Sequence, residues 1–282
     1  MEWKSYESKC DWNDLAVQLQ NAKTPEPYDI ILADEVQDFS ANQVRALVHQ
    51  AADPYSIVFV LDAAQRIYPR GFTWTEVGIS SVKSQRLTVN YRNTMEICRF
   101  ASPLLEGLNV GDDGTLPDFN SCVRHGSIPI IIEGRYSQQV EFAMNQIESN
   151  IDTSSESVAF LQPLGGSWFD YLKGALRNHS LNFVEITREN DWPTGPVNIA
   201  LCTMHSAKGL EFDHVFVLGL NDEVTPYNVE PGDSAFENLR RLLAVAITRA
   251  KRTVTVGYKP EEASGLVSLL DPTTYRTETL WA

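Results

Sequence analysis

The sequence has 282 residues, 43% of them hydrophobic and 10% aromatic, which is the composition of a globular protein and excludes a wholly disordered chain. Its formal net charge of −14 excludes the basic surface of a dedicated nucleic-acid binder, so any strand has to be held locally. The chain has no run of about 18 uncharged apolar residues, no secretory signal, and four scattered cysteines without C-x-x-C spacing. We therefore expect a cytoplasmic protein with free thiols and no membrane contact.

The predicted elements begin with two short apolar runs that end in acidic residues. Residues 28–33 (YDIILA) and 56–62 (SIVFVLD) are predicted as buried parallel strands, with Ser40 capping a helix between them. Further strands are predicted at 85–89, 128–133, 157–161, 182–186, 197–203, 214–218 and 253–257, and helices at 94–108, 137–149, 167–179 and 234–249. This alternation predicts an α/β fold with a doubly wound parallel sheet, whose ligand groups gather at the strand ends.

Two carboxylates follow the first strand in the segment DEVQD at residues 34–38. At a strand end, Asp34 is placed to hold Mg²⁺ and Glu35 to polarise an attacking water. An acidic turn after a strand is a common alternative, but Gln37 and Asp38 make the longer segment more specific.

The second strand leads into the segment AQRIYPRG at residues 64–71. Gln65 is a candidate for contact with a γ-phosphate or its attacking water. Tyr68 is a candidate for stacking on an unpaired base, although on sequence alone a tyrosine that packs in the turn is the more common explanation.

Two arginines complete the set of candidates. Arg92 lies in the segment NYRN after a predicted strand, and Arg249 lies near the end of a predicted amphipathic helix. A guanidinium can stabilise charge on a transferring phosphate, but each arginine alone is more often a salt-bridge partner. Tyr91 can stack on a nucleotide base or serve as a core aromatic.

The order of these segments is more specific than any one of them. DEVQD, the Gln-x-x-Tyr-x-x-Gly loop, NYRN, TMHSAKGLEF at 203–212 and RLLAVAITRAKR at 241–252 resemble motifs II to VI of the UvrD/Rep-type superfamily 1 helicases. The match extends from residue 34 to residue 252. The resemblance implies RecA-like parallel sheets, with residues 1–90 as part of a first lobe and residues 91–282 as a complete second lobe.

The resemblance also implies a nucleotide site with ATP and Mg²⁺ as cofactors. The catalytic and metal-binding candidates are Asp34 for the metal, Glu35 for water activation, and Gln65, Arg92 and Arg249 for the γ-phosphate. The nucleotide-binding candidates are Tyr91 near the adenine, Gly209 beside the nucleotide and Glu211 at the ribose. Thr203, His205 and Tyr68 are implied to face single-stranded DNA.

The phosphate loop of such enzymes, G-x-x-x-x-G-K-[ST], occurs nowhere in the sequence. We therefore expect the chain to be inactive towards ATP unless an amino-terminal region or a partner polypeptide supplies this loop. One hypothesis is the carboxyl-terminal part of an ATP-dependent DNA helicase. The alternative is a non-catalytic, helicase-like interaction or regulatory subunit, which the missing loop and the acidic charge favour.

Overall fold

The computed structural model describes residues 11–22, 27–62, 72–85, 87, 89–108, 121–163, 167–186, 197–224 and 234–280. The chain divides into two compact units. Unit 1 comprises Met1–Leu87 with Val110–Thr115, and unit 2 comprises Thr88–Asn109 with Leu116–Ala282.

Unit 1 contains the predicted strand, helix, strand order. Its described elements are α1 (Trp12–Asn21), β1 (Ile31–Ala33), α2 (Ala41–Gln50) and β2 (Ile57–Phe59). The strands β1 and β2 pair in parallel. Ser40 caps α2 as expected: its hydroxyl accepts from the Gln43 amide at 3.3 Å while the Gln43 side chain accepts from the Ser40 amide at 2.7 Å.

The core of unit 1 lies on one face of this two-stranded sheet. Buried aliphatic side chains from β1, the 3-10 turn after it, α2 and the segment after β2 form its centre, namely Ala33, Val36, Val44 and Val77. Aromatic rings cover it, with Trp74 5.5 Å from Phe59 and 5.4 Å from Phe72 between ring centroids. The opposite face of the sheet is exposed at Leu32 and Val58, so the prediction of buried strands is wrong for this face of β1 and β2.

Unit 2 contains the larger sheet. Its described strands are β3 (Asn90–Thr94), β4 (Cys122–Arg124), β5 (Ile130–Glu133), β6 (Val158–Gln162), β7 (Val184–Ile186), β8 (Ile199–Thr203), β9 (Phe212–Val217), β10 (Ala250–Tyr258) and β11 (Arg276–Thr279). Its described helices are α3 (Met95–Leu105), α4 (Tyr136–Asn150), α5 (Ser167–Asn178) and α6 (Ser234–Thr248).

Within the described residues, seven strands form one sheet in the order β11-β5-β10-β9-β6-β8-β7, and every pairing is parallel. All five residues of β6 (VAFLQ) are buried, as expected for a parallel strand covered on both faces. The main core packs α4 and α5 against this sheet through residues such as Met144, Leu172 and Phe160. The predicted α/β class with a large parallel sheet is therefore confirmed.

The structure corrects the prediction around NYRN. Residues 85, 87 and 89 lie outside any strand, and the strand is β3, formed by the polar segment itself. The reason is tertiary, since β3 pairs in parallel with β4, a three-residue strand that the apolar pattern does not reveal. Arg92 therefore lies within a strand instead of after one.

The cysteines and the helices agree with the composition. Cys98, Cys122 and Cys202 are buried, with the Cys122 thiol donating to the Cys98 sulfur at 2.7 Å, and Cys10 lies outside the described residues. In the described part of the chain, none of the helices combines the length and apolar character needed to cross a bilayer.

Candidate functional site

The carboxyl end of β8 is closed by a tight turn that presents the predicted strand-facing residues. The Thr203 hydroxyl accepts from the Ser206 amide at 3.2 Å, and the Thr203 carbonyl accepts from the Ala207 amide at 3.1 Å. His205 lies exposed at the top of this turn, while Thr203 is half-buried at its base. Gly209 has φ +81°, a left-handed conformation that few other residues adopt without strain, and it turns the chain towards β9.

Glu211 stands immediately before β9, where it meets two cations from other segments. Its Oε1 lies 2.5 Å from Nη2 of Arg92, and its Oε2 lies 3.4 Å from Nζ of Lys251. The pairing of β9 with β10 explains the second contact, since the Phe212 amide donates to the Arg249 carbonyl at 2.9 Å. Three segments far apart in sequence thus meet at one carboxylate.

Arg249 occupies the junction between α6 and β10, and its side chain is turned inward. The residue is only 2% exposed. Its Nε donates to the Val245 carbonyl at 3.2 Å and its Nη1 to the Leu210 carbonyl at 3.4 Å. The guanidinium therefore helps to hold the α6 terminus against the segment that leads to Glu211.

Asn93 braces the same junction from β3. Its Nδ2 donates to the carbonyls of Thr248 at 2.8 Å and Ala250 at 2.7 Å, and the residue is 3% exposed. Asn90 orders the strand itself, because its Oδ1 accepts from the amides of Arg92 at 2.9 Å and Asn93 at 3.1 Å. The NYRN segment and the α6–β10 junction are thereby held together.

The side chains of Tyr91 and Arg92 are accessible from solvent. Tyr91 is exposed, as a tyrosine has to be if a nucleotide base is to stack on it. The Arg92 carbonyl accepts from Nη1 of Arg124 at 3.0 Å, which ties β3 to β4. The backbone of β3 is therefore fixed while the side chains of Tyr91 and Arg92 reach solvent.

A second network supports the amino-terminal ends of β6, β9 and β10. Asp213 accepts from the amide and hydroxyl of Ser157 at 2.9 Å each and from Nε of Arg252 at 3.1 Å. Burial alone raises the pKa of Asp213, but these hydrogen bonds, with Arg252 and Lys251 nearby, lower the pKa below its usual value. Asp213 is therefore a fixed anion beside the Glu211 cluster.

The acidic segment in unit 1 is shaped by one strained residue. Glu35 has φ 55° and ψ 35°, in the left-handed region, and its amide donates to Oδ1 of Asp34 at 2.8 Å. Gln37 is buried; its Nε2 donates to the Glu35 carboxylate, and its Oε1 accepts from the Asp62 amide at 3.0 Å. Gln37 thus links the ends of β1 and β2.

The exposed carboxylate of Asp34 suits Mg²⁺ only in part. No group of three or more His, Cys, Asp or Glu side chains able to hold a metal occurs among the described residues. Mg²⁺ in nucleotide sites commonly takes one or two carboxylates plus substrate phosphates and water. Asp34 fits that arrangement, in which the nucleotide brings most of the ligands.

Two of the predicted site residues, Gln65 and Tyr68, lie outside the described residues. Conversely, Lys251 and Asn93 belong to the site although the sequence reasoning assigned them no function. The signal for Lys251 was its place in the cation-rich segment RAKR, two residues after Arg249. Asn93 had no comparable signal.

Comparison with known proteins shows where the similarity lies. Residues 170–261 match the model of the UvrD-like helicase C-terminal domain. A Mycoplasma pneumoniae protein named as a probable DNA helicase is 27% identical over 236 residues, which are 79% of this chain and 42% of that protein. DNA helicase II of Haemophilus influenzae is 30% identical over 183 residues, 63% of this chain and 24% of that protein. This chain thus spans less than half the length of either relative.

Among solved structures, the C-terminal domain of a possible DNA helicase from Lactobacillus plantarum WCFS1 covers 67% of this chain and 99% of its own, with TM-score 0.49 and 22% identity. The match to the family model and the helicase relatives confirm the resemblance drawn from the motifs. The chain is therefore related to the UvrD/Rep/PcrA DNA helicases, and its residues 170–261 correspond to their UvrD-like C-terminal domain.

Proposed function

We propose that this chain is the carboxyl-terminal part of an ATP-dependent UvrD-like DNA helicase or translocase. In this proposal residues 1–90 belong to a first RecA-like lobe and residues 91–282 form the second lobe. The division of the chain into units at residues 87 and 88 supports this assignment. Hydrolysis of ATP with Mg²⁺ between the lobes moves the protein along single-stranded DNA in the cytoplasm.

One observation carries the proposal. Arg92, Glu211 and Lys251 come from three separate motifs and meet within 3.4 Å, next to the buried Arg249. Arginine and lysine side chains close together at the edge of a sheet can bind a phosphate group. The carboxyl end of β8, with Thr203 and the exposed His205, is the part of unit 2 proposed to meet the DNA strand.

Strand binding is tested on the 282-residue chain itself. Fluorescence anisotropy with a labelled oligothymidylate, at low and moderate salt, compares the parent with Thr203→Val and His205→Ala. We expect each variant to weaken binding, whereas His125→Ala, which removes an exposed histidine in the loop after β4, leaves it unchanged. Equal affinity of all four proteins would contradict the assignment of the strand face.

Hydrolysis is tested in an enzyme where the chain is joined to, or mixed with, a lobe that bears a phosphate loop. Because Arg249 is buried, Arg249→Ala would also disturb the fold, so Arg249→Lys is the sharper variant. A lysine keeps the charge but loses the planar fork, and we expect kcat to fall steeply, towards the loss of about 10³ seen when such an arginine is removed. In the absence of nucleotide, the affinity of the Arg249→Lys variant for DNA should stay within about twofold of the parental affinity.

The second candidate is a non-catalytic, helicase-like regulatory subunit. The absence of G-x-x-x-x-G-K-[ST] from the sequence and the net charge of −14 favour it. If Arg249→Lys hydrolysed ATP at the parental rate in the reconstituted enzyme, this second candidate would become the better proposal.

A further inference from the structure

The contact between Glu211 and its two cations has the form of an occupied anion site. One carboxylate oxygen faces Arg92 and the other faces Lys251. We propose that Arg92 and Lys251 form a phosphate-binding site that the Glu211 carboxylate fills until a phosphate group displaces it. This makes Lys251 a phosphate-binding residue and Glu211 a built-in competitor. The inference rests on the proposed function only for the identification of that phosphate as part of a nucleotide.

The geometry of the cluster favours an exchange of anions. The two cations lie on β3 and β10, and the backbone on the β3 side is held by Asn93 to the start of β10. Glu211 precedes β9 and reaches the cations by its flexible side chain. Departure of the carboxylate therefore leaves two cations spaced to receive neighbouring oxygens of one anion.

The exposure of the cluster allows an outside anion to enter. The side chains of Arg92, Lys251 and Glu211 are 41%, 37% and 33% exposed. Ion pairs this open to solvent stabilise the fold only weakly, since water and salt compete with them. Displacement of the Glu211 carboxylate from the two cations therefore requires little free energy.

A polyphosphate gains more from the same cations than the carboxylate does. It carries more negative charge, and a phosphate group can bind a guanidinium through two parallel hydrogen bonds while lysine acts as a point charge. Once released, the Glu211 carboxylate becomes an acceptor for hydroxyl groups. Release is therefore compatible with the ribose contact that the family resemblance implies for Glu211.

The experiment uses inorganic tripolyphosphate and the 282-residue chain, with affinity measured by calorimetric titration at fixed ionic strength. Glu211→Gln removes the competing charge without changing shape, and we expect it to tighten binding by about three- to tenfold, the equivalent of losing one or two exposed ion pairs. Lys251→Gln should weaken binding by about the same factor, and Lys251→Arg should restore it.

The matched control is Glu262→Gln. Glu262 pairs with Lys259 elsewhere on unit 2, so its neutralisation changes net charge equally without touching the cluster. If Glu262→Gln tightened tripolyphosphate binding as much as Glu211→Gln, the effect would be general electrostatics and the proposal would be overturned. Unchanged binding in Lys251→Gln would overturn it as well.

A measurement on the parent chain avoids any dependence on variant folding. In NMR spectra, the Arg92 Nε–H and Lys251 side-chain resonances should shift saturably as tripolyphosphate is added, while those of Lys259 stay in place. Absence of a shift at Lys251 would contradict the proposal. These measurements involve neither DNA nor ATP hydrolysis. The phosphate-binding site and the proposed DNA contact of Thr203 and His205 are therefore tested independently, and failure of one does not imply failure of the other.

Discussion

The side chain of Asn93 holds the backbone on both sides of Arg249, because its Nδ2 donates to the carbonyls of Thr248 and Ala250, the residues before and after that arginine, at 2.8 and 2.7 Å. Asn93→Ala leaves both carbonyls without this donor in a buried position, which costs about 1–3 kcal/mol of unfolding free energy. Chemical denaturation measures the loss. Asn150→Ala, which removes an exposed amide, is the control and should change stability by less than about 0.5 kcal/mol.

The isosteric variant Asn93→Asp sharpens this prediction. It places a carboxylate against two carbonyl oxygens, so the folded state favours the protonated acid and its pKa rises above the usual value of about 3.9. Stability relative to the parent should therefore fall as the pH rises above about 4. A variant whose stability relative to the parent does not vary between pH 4 and pH 7 would show that Asn93 does not face these carbonyls.

ATP hydrolysis by the 282-residue chain alone should be negligible, with or without single-stranded DNA. The sequence offers no phosphate loop whose lysine and backbone amides could bind the β- and γ-phosphates. A phosphate-release assay checks this, with Glu35→Gln as the paired variant. Strand-stimulated turnover that Glu35→Gln abolishes would contradict the expectation.

The exposed face of the β1–β2 sheet should promote self-association of the isolated chain. Leu32 and Val58 are aligned neighbours in that sheet and are 75% and 51% exposed. Replacement of both by threonine keeps strand propensity and removes apolar surface from water, so it should lower association with less than about 1 kcal/mol change in stability. Sedimentation velocity over a concentration series measures association.

Ala33→Thr is the matched control for this face, since Ala33 points into the unit 1 core. Overpacking there should cost about 1–3 kcal/mol and give no decrease in association. If Leu32→Thr with Val58→Thr left sedimentation unchanged at every concentration, the exposed face would have no part in self-association.

Two histidines of unit 2 should give opposite dependences of stability on pH. Burial lowers the pKa of His214 below 6.5, although its hydrogen bond to Glu156 works against this, with Asp213, Arg252 and Thr253 also nearby. The unfolded chain then binds more protons, so the His214 contribution is lost as the pH falls below about 6.5. His214→Gln should reduce the stability loss between pH 7.5 and pH 5.5.

His179 should act in the other direction. Its hydrogen bond to Glu148 raises its pKa above 6.5, so the folded chain binds more protons and gains stability as the pH falls through that raised pKa. His179→Gln should therefore enlarge the loss between pH 7.5 and pH 5.5. Denaturation curves at pH 7.5 and pH 5.5 measure the loss of stability in both variants. If both variants changed this loss in the same direction relative to the parent, the two pKa assignments would be contradicted.

The sequence by itself determined the elements whose signals are local. The apolar runs predicted β1, β2 and β6, and Ser40 predicted the start of α2, because runs of apolar residues and helix-capping residues can be recognised from neighbouring positions alone. The ordered motifs likewise identified the helicase relationship, since they do not depend on knowing the contacts.

Only the tertiary structure decided how the motif residues meet. β11 (RTET) and β4 (CVR) have no apolar pattern, and they are strands because β5 and β3 offer them backbone partners. Arg249 has the sequence context of a surface arginine on a helix, and its burial depends on the Leu210 carbonyl, 39 residues away along the chain. The pairing of Glu211 with Arg92 and Lys251 depends on side chains brought together from three elements, and no local pattern of residues encodes such a distance.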